Sequence, residues 1–203
     1  MLKNILFISI MLLFYSCSDR TGGCTDYCAA NYESFADFDD GSCLYPQVFG
    51  CTDPSATNYD PCATDEPVNI CEYTCEIVWY LTKTASDFMI LNGVDYYDFF
   101  LKNENISFGY IDNDYYFLSA PDCSPRLGVL VQSFYWNGNY NSNVAVVQWE
   151  AWSDDGTSTS FLDFEGDNIV YPNECISIGL DGAMLNTYRN NNPERLQREK
   201  IAK

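Results

Sequence analysis

The sequence predicts a mainly β protein: a small disulfide-stapled repeat module followed by an antiparallel β-sandwich or barrel. Three observations carry that prediction. A cysteine-bounded segment occurs twice between residues 23 and 71. From residue 76 onward, short runs of alternating apolar and polar residues are separated by turn residues, the pattern of half-buried strands. Aromatic residues make up 16% of the chain, mostly Tyr and Phe, a composition that suits pleated sheets and is too apolar for a disordered chain.

The N-terminus reads as an export signal. Lys3 supplies a positive start, and residues 5–15 are apolar except for Ser9. That stretch is too short to span a bilayer, which takes about 20 apolar residues, but it fits the apolar region of a signal peptide. It ends in Phe14-Tyr15-Ser16-Cys17, which resembles a bacterial lipobox, although aromatics stand where aliphatic and small residues are commoner. On this reading residues 1–16 are removed and Cys17 carries the lipid. Each buried CH₂ of such an anchor contributes about 0.8 kcal/mol of membrane affinity, and two or more chains make it stable. The alternative is an ordinary secretory peptide with Cys17 as one more disulfide partner.

The repeat follows a short linker, residues 17–22. Gly23-Cys24-Thr25-Asp26 returns as Gly50-Cys51-Thr52-Asp53, and the same offset matches Ala29 with Ala56, Asn31 with Asn58, Tyr32 with Tyr59 and Ala36 with Ala63. The first copy closes with Asp39-Asp40-Gly41-Ser42-Cys43, the second, less faithfully, at Cys71. This pattern resembles a short cysteine-bounded repeat found in many secreted and surface proteins of Bacteroidota. The resemblance covers residues 23–71 and implies an extracellular module, often tandem, with no established enzymatic role.

The residues agree with that implication. A unit of this size buries too little apolar surface to fold without staples. Pairing Cys24 with Cys43 and Cys51 with Cys71 would close loops worth about 3 kcal/mol each in the chain-entropy model. Cys28 and Cys62 fall outside the matched positions and suggest a bridge between the copies. The competing arrangement is a metal knuckle of Cys24, Cys28, Cys71 and Cys75, which export and the lack of histidine disfavour. For the β domain the expected bridge joins Cys175 to Cys123 or Cys75. Ten cysteines minus a lipidated Cys17 leave an odd one over, which weighs against lipidation.

The second domain is expected over residues 76–181, after a repeat module ending at 75. Strands are expected at 76–82, 88–91, 94–101, 106–111, 115–119, 127–136, 144–153, 158–164 and 175–180. Asn92-Gly93 reads as a hairpin turn between the second and third. Residues 182–203 read as a polar, basic tail, loose or shortly helical, holding Arg189, Arg195, Arg198, Lys200 and Lys203.

Composition narrows the function. Asp and Glu number 29 against 10 Lys and Arg, and between residues 21 and 188 only Lys83, Lys102 and Arg126 are basic. Such a chain repels phosphate backbones, so nucleic acid is not an expected partner. Histidine is absent, which removes imidazole acid–base chemistry and histidine-dependent triads. A carboxylate pair, Glu150 with Asp154 or Asp163, could in principle hydrolyse glycosides, but a small β domain rarely forms the needed cleft. Asp37, Asp39 and Asp40 before Gly41 suggest a calcium loop, although the register fails the helix–loop–helix pattern and an Asp-Gly turn accounts for them. No other cofactor is indicated. The candidate binding face is the hairpin of residues 127–153. There Gln148, Glu150 and Trp152 share the face opposite Trp149, and Trp136 and Tyr140 flank the connecting loop. Exposed indole and amide groups would suit a sugar or a protein partner; the alternative, set slightly ahead of it, is that Trp136 and Trp152 pack against a neighbouring strand or the cysteine-rich module.

The expectation is therefore a non-enzymatic, lipid-anchored cell-surface protein of the outer membrane. It would bind a partner protein or glycan, with the repeats as a stiff spacer. The alternative is a structural or assembly subunit of an outer-membrane complex.

Overall fold

The computed structural model describes residues 20–104, 106–139, 143–157, 159–191 and 197–199; Cys17 and Tyr140 lie outside them. The elements are β1 (Gly22–Gly23), β2 (Phe38–Asp39), β3 (Cys71–Leu81), α1 (Lys83–Leu91), β4 (Tyr96–Leu101), β5 (Ser107–Asp112), β6 (Val129–Gly138), β7 (Ala145–Asp154), β8 (Thr159–Val170), β9 (Cys175–Leu180), α2 (Gly182–Asn191) and β10 (Gln197–Glu199). The protein is mainly β, as expected. The chain divides into two compact units: Met1–Phe49 with Pro61–Asp65, and Gly50–Asp60 with Glu66–Lys203.

In the larger unit, one sheet has the order β10-β8-β7-β4-β5 and the other β6-β3-β9. β3 alternates buried and exposed residues at its start, then turns continuously buried at Ile77, Val78 and Trp79, as befits a central strand covered on both faces. The inner faces meet in one core: Ile77, Trp79 and Leu81 from one sheet, Tyr97, Phe99, Val147, Trp149 and Ala151 from the other. This is a sandwich-like arrangement. Trp79 is its hub, with ring centroids 5.3 Å from Phe108, 5.6 Å from Phe99 and 5.8 Å from Trp149. Directly across from Trp149 on β8 stands Gly166, where a Cβ would lie 2.7 Å from the indole; only glycine leaves the ring room.

Four differences from the sequence reading have physical causes. Residues 88–91 belong to helix α1, not a strand. Thr82 caps the helix start with its side chain, and Asn92 and Gly93 (φ +66°) end it. Asn-Gly is a helix stop as readily as a hairpin turn, since both need positive φ. Residues 115–119 form a single bridge, Thr82 with Phe117, instead of a strand. β3 and β9 pair in parallel, because the chain crosses between sheets before β9. The terminal segment is built into the fold: α2 buries Leu185, and β10 pairs antiparallel with β8.

The repeat copies share one internal geometry. Asp26 Oδ1 accepts from the Cys28 N–H and Asp53 Oδ1 from the Ser55 N–H, each at 2.9 Å. Asn31 clasps Ser42 and Leu44 through both ends of its amide, and Asn58 does the same to Ile70 and Glu72. Tyr45 donates to Asp26 and Tyr73 to Asp53, each at 2.9 Å. The sequence offset is 27 as far as Ala63 and 28 at the closing residues, where Cys43 matches Cys71 and Tyr45 matches Tyr73, so a one-residue insertion hid the shared Cys-x-Tyr ending. Cys24–Cys43 and Cys51–Cys71 close the two copies, and Cys28–Cys62 and Cys123–Cys175 complete four disulfides. Cys75 is a buried free thiol. The boundary expected at residue 75 is crossed by β3, which begins at the closing cysteine of the second copy.

Candidate binding surface

β7 presents its expected inner face, with Val147, Trp149 and Ala151 buried. Trp152 does face away from that core, but it is only 7% exposed. It forms a separate cluster with Phe100 and Leu162, and its indole N–H donates to Glu150 Oε2 at 3.0 Å. The indole is therefore an interior side chain, as the packing alternative has it, since apolar residues on both neighbouring strands complete a second small core. Trp136 is half-buried and stacks on Tyr73 at 5.7 Å, within a cluster containing Cys51, Ala56 and Cys71. Gln148 is exposed and donates to Asp167 at 3.1 Å. Trp136, Gln148, Glu150 and Trp152 do not form one aromatic face, and Tyr140 lies outside the described residues.

The carboxylates are likewise engaged. The register between β7 and β8 shifts at Ala151/Trp152, leaving Asp163 as an extra residue in β8. Such a bulge re-aims a side chain, and Asp163 is fully buried. It receives Arg189 Nε at 3.0 Å on one oxygen, and Arg189 Nη2 at 2.5 Å and the Tyr97 hydroxyl at 3.2 Å on the other. Arg189 also lies 4.8 Å over the Phe88 ring. This residue of the supposedly solvated tail thus neutralises a buried acid. Asp154 accepts the Tyr96 hydroxyl at 2.5 Å, and that contact, with burial, pushes the phenol well above its ordinary range.

In the second repeat copy, Asp53 is buried and collects Ser55, Tyr73 and Asn143. Burial pushes its carboxyl upward, but these hydrogen bonds together hold it below the usual range. Burial and the Asp53 contact push Tyr73 up strongly.

The calcium candidates are turned to other work. Asp37 accepts from Thr21 N, Asp39 from Gly41 N and Asp40 from Ser42 N, each at 2.9 Å. Those contacts are Asx turns and a chain-pairing bond, so each carboxylate has a structural role without an ion. Among the described residues, Cys51, Glu66 and Cys71 lie within metal-ligand reach of one another, but the two sulfurs are bonded together. The Cys24, Cys28 and Cys71 thiols of the proposed knuckle are consumed the same way.

Exposed aromatics occur in both units: in the larger one Tyr135, Tyr110 and Tyr171 are 78%, 58% and 53% exposed, and the smaller one carries a further set. Tyr27, Phe35, Tyr45 and Phe49 are each more than half exposed, at 64%, 69%, 59% and 63%, with Tyr32 and Phe38 close behind. Two disulfides, Cys24–Cys43 and Cys28–Cys62, fix the chain that carries them. The signal was present in the sequence, where these rings break the alternation of any strand.

In comparisons with protein-family models, curated proteins and solved structures, nothing matches this chain. Its function is argued from its own residues.

Proposed function

We propose that the chain is an exported, lipid-anchored, non-enzymatic protein of the outer membrane, exposed at the cell surface, that binds a partner protein or a glycan. The observation that carries the reading is the cysteine pattern. Among the described residues, eight of the nine cysteines are paired, which a reducing cytosol would not maintain. The buried free Cys75 supplies the odd thiol, so parity no longer weighs against lipidation of Cys17. The repeat that resembles surface modules of Bacteroidota supports the same location. The absence of histidine and the engagement of Asp154 and Asp163 support binding over catalysis.

An assembly role is the second reading. Val146 and Ile169 stand opposite each other on β7 and β8, both exposed beside Val144 and Tyr171, an apolar strip that a larger complex would cover.

The test is fractionation with pull-down from native membranes. Wild-type protein should sediment with outer membrane and be reached by protease on intact cells, and Cys17→Ala should move to the soluble fraction. A partner recovered in less than stoichiometric, exchangeable amounts fits the binding reading; a fixed 1:1 complex through purification favours assembly. Cys17→Ala remaining in the membrane contradicts the anchor.

A further inference from the structure

We infer that the first repeat is the recognition surface of this protein, and that its partner is an arginine-bearing segment of another protein. The inference rests on the binding reading above and names its site and partner.

The two copies differ at one informative place. Cys62 of the second copy is bonded to Cys28; at the equivalent position the first copy has Phe35. The surrounding backbone matches: Thr64 N donates to Val48 O at 2.9 Å as Asp37 N donates to Thr21 O at 2.8 Å. Phe35 therefore stands 69% exposed where the other copy is covalently engaged. Tyr27, Tyr45 and Phe49 add exposed rings in the same unit.

Charge in this unit is lopsided: among its described residues Arg20 is the one cation, against Asp26, Glu33, Asp37, Asp39, Asp40 and Asp65. Its two carboxamides among the described residues are spent internally: Asn31 on Ser42 and Leu44, Gln47 on Asp65. The surface is left with carboxylate acceptors and ring faces. A sugar presents acceptors as well as donors and would find few amide partners here. A guanidinium presents five donors and no acceptor, pairs with carboxylates and stacks on aromatic rings. Complementary charge also speeds encounter.

The experiment titrates the full-length protein in detergent with a short synthetic arginine–glycine peptide, and in parallel with a lysine–glycine peptide of equal charge. The arginine peptide should bind more tightly. Tyr27→Ser with Phe35→Ser should weaken it about tenfold, without altering the melting temperature. Leu118→Ser with Tyr135→Ser, more exposed still and in the other unit, should change it less than about twofold. If the serine pair fails to fold, Tyr27→Leu with Phe35→Leu keeps the apolar bulk while removing the rings and should show the same loss. Asp39→Asn with Asp40→Asn keeps the oxygens that hold the turns and should flatten the salt dependence. Equal binding of both peptides, or equal loss in both surface pairs, would reduce the effect to net charge and overturn the inference. So would displacement of the peptide by maltoheptaose, which would assign the surface to glycan. The assay uses purified protein, so its failure leaves the anchoring and location readings untouched, and a failed fractionation leaves this one untouched.

Discussion

Trp149 and Trp152 lie three residues apart on β7 and are buried in different clusters. Strand alternation correctly separates their faces, but cannot see that Phe100 and Leu162 from the neighbouring strands close over Trp152. Both Trp149→Ala and Trp152→Ala should therefore cost about 3–5 kcal/mol in denaturant melts; a Trp152→Ala loss near 0.5 kcal/mol would show a free surface indole instead. Arg189 teaches the same lesson for charge. In sequence it belongs to a basic tail, and its partner Asp163 is distant and turned inward by a bulge that no residue pattern announces. Arg189→Met should cost about 3–5 kcal/mol, because it strands a buried carboxylate. Adding Asp163→Leu should recover much of that loss, a comparison equilibrium unfolding can make directly. Failure of the second change to restore stability would mean that the pair's role is packing around Phe88 and not charge.

The repeat elements were legible because cysteine, asparagine and tyrosine at a fixed offset carry the closures and clasps themselves. Their Cys-x-Tyr endings were not, since one inserted residue breaks the offset before Tyr73. The helix at Lys83–Leu91 was missed for a different reason: its stop signal, Asn92-Gly93, has the same backbone requirement as a hairpin. The two Asp–Tyr clasps differ in burial, which makes a testable contrast. Asp53→Ala should cost about 1–3 kcal/mol, leaving the buried Tyr73 hydroxyl unpaired, and Asp26→Ala in the exposed clasp less. The pH sense follows from the lowered Asp53 carboxyl. Its contribution is complete above the unfolded value of about 3.9 and is lost as pH falls through the folded value. Thermal melts of wild type should decline in acid, and Asp53→Asn should decline less steeply over that window. Parallel decline would assign acid sensitivity to other groups.

At the scale of the whole molecule, the cysteines divide the chain's chemistry. The four disulfides hold both units, while Cys75 is buried in the core with its thiol pushed up to about 11, chiefly by burial and further by Glu174 and Glu76. It should resist alkylation in the native protein, since the thiolate is the reactive form. The mainly β class was readable from alternation and turns. The parallel β3–β9 pairing and the placement of the terminal segment were not, because both depend on where the chain crosses between sheets. The proposed export and anchoring through Cys17 can be read from intact mass. Protein extracted from native membranes is unfolded without reductant, alkylated and weighed. The expected species is a chain beginning at Cys17 with the mass of a diacylglyceryl group, four disulfides, and one alkyl label, at Cys75. A chain that retains residues 1–16, carries no lipid and takes a second label at Cys17 would contradict it.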